Sequence, residues 1–204
     1  MDLRPTDILS DEHRVIEQVL DCLERMADDC RRHGSLDAQA AKDAVHFFRN
    51  FADRCHHGKE ETHLFPAMEA KGFSRSEGPT GVMLREHDQG RACVRGMDEA
   101  IDAAAAGDAD SQRRFVEHAT HYIDLLREHI QKEDHCLFAM ANQVFSDTDQ
   151  RELLSAFSAV EADDMGAGTH EKFLALADAL AERFGAVRTR EKTAGRPHAC
   201  GHHG

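Results

Sequence analysis

The chain has 204 residues, 41% of them hydrophobic, and 38 acidic against 25 basic side chains, a net charge of −13. That length suits a single domain with an appendage and is large enough to bury a core without disulfide staples. The excess of acid opposes binding to phosphate backbones, so no nucleic-acid partner is expected, and no apolar run approaches the ~18 residues of a membrane span.

Helical periodicity dominates from the start. Leu9, Ile16, Leu20 and Leu23 share one face, so a first helix is expected from near Thr6 to Gly34, with Pro5 ahead of it. A second is expected from about Leu36 to Lys71, closed by Gly72 and kinked near Pro66. Gly78-Pro79 interrupts the chain before a third helix, about Thr80 to Ala106. A fourth, about Asp110 to Val144, carries Phe115, Tyr122, Leu126, Ile130 and Leu137. Two shorter helical stretches follow, 148–163 and 169–185, and then a polar, Gly-rich tail that reads as flexible. Strand signals are nearly absent. The expectation is an all-α protein: an antiparallel four-helix bundle over 1–145, one or two C-terminal helices packed on it over 146–185, and a tail over 186–204.

The chain also repeats itself. HHGKEETHLF at 56–65 aligns with HIQKEDHCLF at 129–138, so that His56 matches His129, Lys59 matches Lys132 and Glu60 matches Glu133. DEH at 11–13 pairs likewise with REH at 85–87. The design is two helix pairs, each with a lone His on its first helix and His-x-x-x-Glu on its second. Residues four apart on a helix share a face. His13, His56, Glu60, His87, His129 and Glu133 therefore converge as four imidazoles and two carboxylates. This is a ligand set for a pair of metal ions, and burying it without one would be costly.

The second helix offers two registers, His56/Glu60 and His57/Glu61. Ala52, Phe48 and Leu64 extend the first register as an apolar face, whereas Asp53 and Arg49 extend the second. The apolar face is the buried one, so His56 and Glu60 are chosen and His57 and Glu61 fall at its edge.

These segments reach a known family. DEHRVIE (11–17), CHHGKEETHLFP (55–66), MLREHDQGR (83–91) and HIQKEDHCLF (129–138) resemble the hemerythrin-like (HHE cation-binding) domains over about residues 6–145. The resemblance implies a four-helix bundle with two non-haem irons, oxo- or hydroxo-bridged, with manganese or zinc as alternatives. It makes His13, His56, His87 and His129 terminal ligands and Glu60 and Glu133 bridges. Oxygen-carrying hemerythrins have a second His one turn after the third-helix His, where this chain has Arg91, and their fourth-helix carboxylate comes five residues after its His instead of four. The four-His, two-Glu set is more similar to bacterial di-iron proteins linked to iron–sulfur cluster repair, which carry an additional cysteine-bearing segment not seen in this sequence.

Several neighbours have two readings each. Glu17 and Arg91 read as an ion pair that orients ligands, or Glu17 as an extra ligand, or both as solvated edge residues. His121 reads as a hydrogen-bond donor to a ligand or as an ordinary half-buried His. His63, His118 and His135 read as surface or edge residues, and Glu86 as solvated or as a gate to the cavity. Tyr122 is a redox neighbour, a donor to a bound oxygen species, or a core aromatic. Cys55 and Cys136 read as small core residues. His170 closes over the site or helps start the last helix. The tail, with His198, Cys200, His202 and His203, delivers metal or binds it adventitiously.

The functional expectation is a di-iron centre that reacts with or senses a small diatomic or peroxide oxidant, with an external redox donor where turnover occurs. The alternative is iron storage or donation, for example to iron–sulfur cluster repair. The six separated cysteines, no Cys-x-x-Cys and no visible secretory signal read as free thiols in a cytoplasmic protein. Oligomeric state has no sequence signature here.

Overall fold

The structure, a computed structural model, describes residues 3–160 and 168–189. Helix α1 is Pro5–His33. Pro5 sits in its first turn, where the missing N–H has no partner to lose, and Gly34 closes it in the left-handed conformation (φ 61°). Helix α2 runs over 38–70, started by the Asp37 carboxylate, which accepts from the Ala40 N–H. Helix α3 is Pro79–Ala105. Helix α4 runs over 109–144, its first turn capped by Asp108 through the Ser111 N–H. These four pack as an all-α bundle, α3 along α4 and α1 along α4. Two shorter helices follow, α5 (Asp147–Ala159) and α6 (Thr169–Phe184). No helix among the described residues is long and apolar enough to cross a membrane.

The expected boundaries hold within about two residues for the four long helices. Residues 161–163 of the fifth stretch, and the tail from 190 onward with its His and Cys, lie outside the described residues. The segment after Gly185 departs from expectation. Thr189 donates its N–H to Gln18 Oε1 at 2.6 Å and its hydroxyl to the Arg14 carbonyl at 3.0 Å, so residues up to 189 are tied to α1.

Two of the long helices are not regular. In α2 the hydrogen bonds widen to i→i+5 over Phe48–His57 and again over Glu60–Leu64; α4 does the same over Glu133–Leu137. Pro66 alone does not cause this. The widened turns Glu60–Leu64 and Glu133–Leu137 occupy equivalent positions of the repeat, and only the first is followed by proline. What they share is a buried glutamate as first residue. Such π-turns concentrate at functional sites because they re-aim side chains that a regular helix would place elsewhere.

The apolar interior is divided in two. One core holds Ile16 to Cys30 of α1, Phe47, Phe48 and Phe51 of α2, Cys93 to Ala104 of α3 and Phe115 to Ile130 of α4, covered by Phe173, Ala177 and Leu180 of α6. The other holds Leu9, Leu64, Phe65, Met68, Met83, Leu137 and Phe138, covered by Leu153 and Phe157 of α5. Along every long helix the change of core comes at the same level. Between Leu9 and Ile16 lies His13; between Ala52 and Leu64 lie His56 to Glu60; between Met83 and Cys93 lies His87; between Ile130 and Leu137 lies Glu133. A polar layer thus crosses the bundle between two greasy plugs.

Candidate metal centre

The six side chains expected to converge do so, and all are at most 1% exposed. His13 Nε2 lies 3.1 Å from Glu133 Oε2, and His129 Nε2 lies 3.3 Å from that oxygen. His56 Nε2 is 3.7 Å from Glu60 Oε1, and His87 Nε2 is 3.5 Å from Glu60 Oε2. Two groups of potential ligands result, sharing Glu60. One is His13, His56, Glu60 and Glu133; the other is His57, Glu60, His87 and His129, and within each group one ligand atom per residue lies within 4.8 Å of the rest.

His57 is a correction to the sequence reading, which left it at the edge. It is 4% exposed, and its ring stacks on His87 at 3.8 Å. A regular α-helix would leave His57 at the edge of the apolar face, but Phe48–His57 is widened, so His56 and His57 both turn inward. The centre has five imidazoles, not four.

Behind the imidazoles stands a set of carboxylates. Asp134 meets His13 Nδ1 at 2.9 Å, Glu12 meets His56 Nδ1 at 2.9 Å, Glu61 meets His87 Nδ1 at 2.7 Å and Glu86 meets His129 Nδ1 at 2.9 Å. Asp53 faces His57 Nδ1 at 3.5 Å. Each carboxylate is held in turn by a cation. Lys59 Nζ donates to Glu12 at 2.5 Å, Arg91 to Asp53 at 2.8 Å and to Glu61 at 2.6 Å, Arg14 to Asp134, and Lys132 to Glu86. A carboxylate on Nδ1 fixes the tautomer and ring plane and leaves Nε2 as the lone-pair donor, the usual support of a metal-binding imidazole.

Four of these five supports obey the internal repeat. The residue before each lone His (Glu12, Glu86) supports the imidazole of the paired helix, and the residue after each buried Glu (Glu61, Asp134) supports the lone His of the other pair. His57 and Asp53 have no counterpart, since Ile130 and Leu126 occupy those places. The sequence reading placed Glu61 at an edge and Glu86 in solvent or at a gate. Both are supports, because each faces a neighbouring helix. Their adjacency to predicted ligands was the signal available.

Glu17 pairs with Arg14 at 2.9 Å, while Arg91 pairs with Asp53, Glu61 and Asp88. His121 is exposed, not half-buried. His63 and His118 are half-buried and His135 is exposed. Cys55 is buried, but Cys136 is exposed and not a core residue. Tyr122 is 2% exposed and packs edge-on against Phe48 at 4.9 Å. With His57, His87 and Arg91 it lines a cavity of about 160 Å³ that leads to the second group. His170 is half-buried in the first turn of α6, its ring 5.3 Å from Phe51.

The electrostatics set one glutamate against the other. Burial and the neighbouring Glu133 hold the Glu60 carboxyl well above the usual range. Burial also opposes ionisation of Glu133, but His129 and His13 overcome it and bring that carboxyl down to about 2. Burial and adjacent imidazoles push His56 and His87 well below the ordinary value, keeping them neutral and able to ligate. Burial opposes protonation of His13 as well, yet Asp134 and Glu133 raise it to about 9.

Both oxygens of Glu60 and of Glu133, and the Nε2 atoms of His13 and His56, are buried without a hydrogen bond. Unpaired buried carboxylates are expensive and are retained when something else satisfies them. A pair of cations among hard carboxylate oxygens and imidazole nitrogens does so, and the residues present fit that group.

A family model confirms the class: the hemerythrin HHE cation-binding domain matches residues 4–141. The chain belongs to this family. Its buried His and Glu groups are those of a metal-binding bundle. Relatives include an uncharacterized protein of Mycobacterium bovis and uncharacterized proteins of two Mycobacterium tuberculosis strains, each 25% identical over 153 residues, 75% of this chain. The matched region spans 59% of those relatives' length. No solved structure matches.

Proposed function

We propose that the polar layer holds two iron ions and reacts with a small oxidant: dioxygen, peroxide or nitric oxide. His13, His56, Glu60 and Glu133 would hold one ion, and His57, Glu60, His87 and His129 the other. The observation that carries this reading is the orientation of the imidazoles. Four have Nδ1 on a carboxylate at hydrogen-bond distance and the fifth, His57, has Nδ1 3.5 Å from Asp53, and they surround two buried carboxylates whose four oxygens make no hydrogen bond. Bound there, an iron pair supplies up to two electrons. The chain does the rest. The supports keep four of the imidazoles in one tautomer, and the two apolar plugs exclude bulk water. A cavity of about 160 Å³ admits only small molecules, past Arg91 and Tyr122, to the three-imidazole side. Sustained turnover would draw electrons from an external donor.

The test is metal analysis and an optical spectrum of protein from an iron-replete host, exposed in turn to air, peroxide and nitric oxide. Two irons per chain, with an iron-pair absorption that disappears in Glu60→Ala and Glu133→Ala, support the reading. Less than one metal per chain, or zinc content indifferent to those substitutions, overturns it. Repeated oxidant consumption marks an enzyme, and reversible bleaching a carrier or sensor.

A further inference from the structure

A third set of ligand-type side chains meets outside the paired centre. Glu12 of α1, Cys55 of α2 and His170 of α6 each bring one ligand atom within 4.8 Å of the other two. Glu12 is 4% exposed and Cys55 is 2% exposed. The Nδ1 atom of the half-buried His170 is itself buried and has no hydrogen-bond partner. Nothing in the sequence brings these residues together. Phe173, Ala177 and Leu180 dock α6 on the bundle, and that docking carries His170 to its place beside Phe51.

A cavity of about 550 Å³ between α1 and α6 leads from the surface to this point, lined by Glu12 and His170 with Asp11 and Asp178 along its wall. Arg14 is the cation among its lining residues. In a chain of net charge −13, an acid-lined cleft concentrates cations. A thiolate, an imidazole and a carboxylate, with the cavity side left open, suit borderline-soft divalent ions such as zinc, cobalt or ferrous iron, and suit magnesium or calcium poorly. Glu12 already accepts from Lys59 through Oε1 and meets His56 Nδ1 through Oε2. On binding the cation Cys55 would release its thiol proton to solvent, and the thiolate then supplies the second negative charge.

We propose that Glu12, Cys55 and His170 form a separate mononuclear site for a zinc-class divalent cation at the floor of this cavity. The site does not depend on the paired iron reading. It adjoins that centre through Glu12, which also orients His56, and through Cys55, which precedes His56 in the chain.

The probe is cobalt(II), added to the full-length chain in a Cys200→Ser background, which removes the thiol of the His-rich tail. The expected result is a near-ultraviolet thiolate-to-cobalt absorption that saturates at one ion per chain. Cys55→Ser abolishes it, and His170→Ala weakens cobalt binding, read on this band, by at least about tenfold. The band persists in Glu60→Ala, where the paired centre is lost, so failure of one reading is distinguishable from failure of the other. Absence of the band, or a band unchanged in both Cys55→Ser and His170→Ala, overturns the proposal. His170 is only half-buried, so its variant remains a valid test should Cys55→Ser fold poorly.

Discussion

Replacing Glu60 with methionine should make the metal-free protein more stable and the metal-loaded protein less so. Glu60 is fully buried, and neither oxygen makes a hydrogen bond. The nearest imidazole nitrogens stand 3.5 Å and 3.7 Å away. An unsatisfied buried polar group of this kind costs about 1–3 kcal/mol. Replacing a buried ionisable group with an apolar one of similar volume commonly recovers such a cost. Methionine is unbranched and adaptable, so it fills the space without a cavity. At roughly 2–4 °C per kcal/mol for a chain of this size, the chelator-treated variant should melt about 2–12 °C above the wild type. With metal present the order reverses. Wild type gains about 2.7 kcal/mol from a ligand at one hundred times its dissociation constant. Glu60→Met lacks the residue common to both ligand groups and gains almost nothing. Thermal melts monitored by circular dichroism, with chelator and with anaerobic ferrous iron, measure both quantities. A variant that melts below wild type in chelator, or that gains as much from metal, would refute the reasoning. Glu60 would then be an ordinary structural residue with satisfied surroundings.

The other predictions concern the rest of the centre and the thiols. His57→Ala should leave the group of His13, His56, Glu60 and Glu133 able to retain one metal while the second becomes labile; two tightly held metals in that variant would make His57 a packing residue. Glu61→Gln removes the anion on His87 Nδ1 and should weaken metal retention about 10–100-fold in a chelator competition, with helicity unchanged. Loss confined to melting temperature, at equal metal affinity, would count against a supporting role. Burial pushes the Cys22 thiol up to about 12, so it stays protonated and unreactive at neutral pH, whereas the exposed Cys136 should be alkylated first among the described cysteines. Mass mapping of labelled peptides at pH 7.5 and pH 9 checks that order, with Cys22 unlabelled at both.

The helices, their boundaries and the convergence of six buried His and Glu side chains were legible because they obey local rules. Apolar residues recur at helical spacing, Gly34 and Asp108 mark ends, and His-x-x-x-Glu places two ligands on one face whatever the helix packs against. The internal repeat supplied the pairing of the halves, since a duplicated design places duplicated residues at one level of a bundle. Pro66 was read as a kink, and the widened turn at Glu60–Leu64 does precede it. The matching turn at Glu133–Leu137, which has no proline, points instead to the buried glutamates.

What the sequence could not determine depends on departures from the ideal helix and on contacts between helices. His57 turns inward because the π-turn over Phe48–His57 changes the angle between successive side chains. Glu12, Glu61, Glu86 and Asp134 sit beside ligands in the chain, yet each acts on an imidazole of a different helix. Only the packing of α1 on α2 and α4, and of α3 on α2 and α4, decides which carboxylate faces which ring. His170 lies far from Glu12 and Cys55 in sequence and reaches them only when α6 docks. Sequence alone placed His56 with Glu60 and His129 with Glu133 on shared helix faces, because periodicity acts within one helix. Tertiary structure decided which of them meet, because that follows from the side chains that neighbouring helices present to one another.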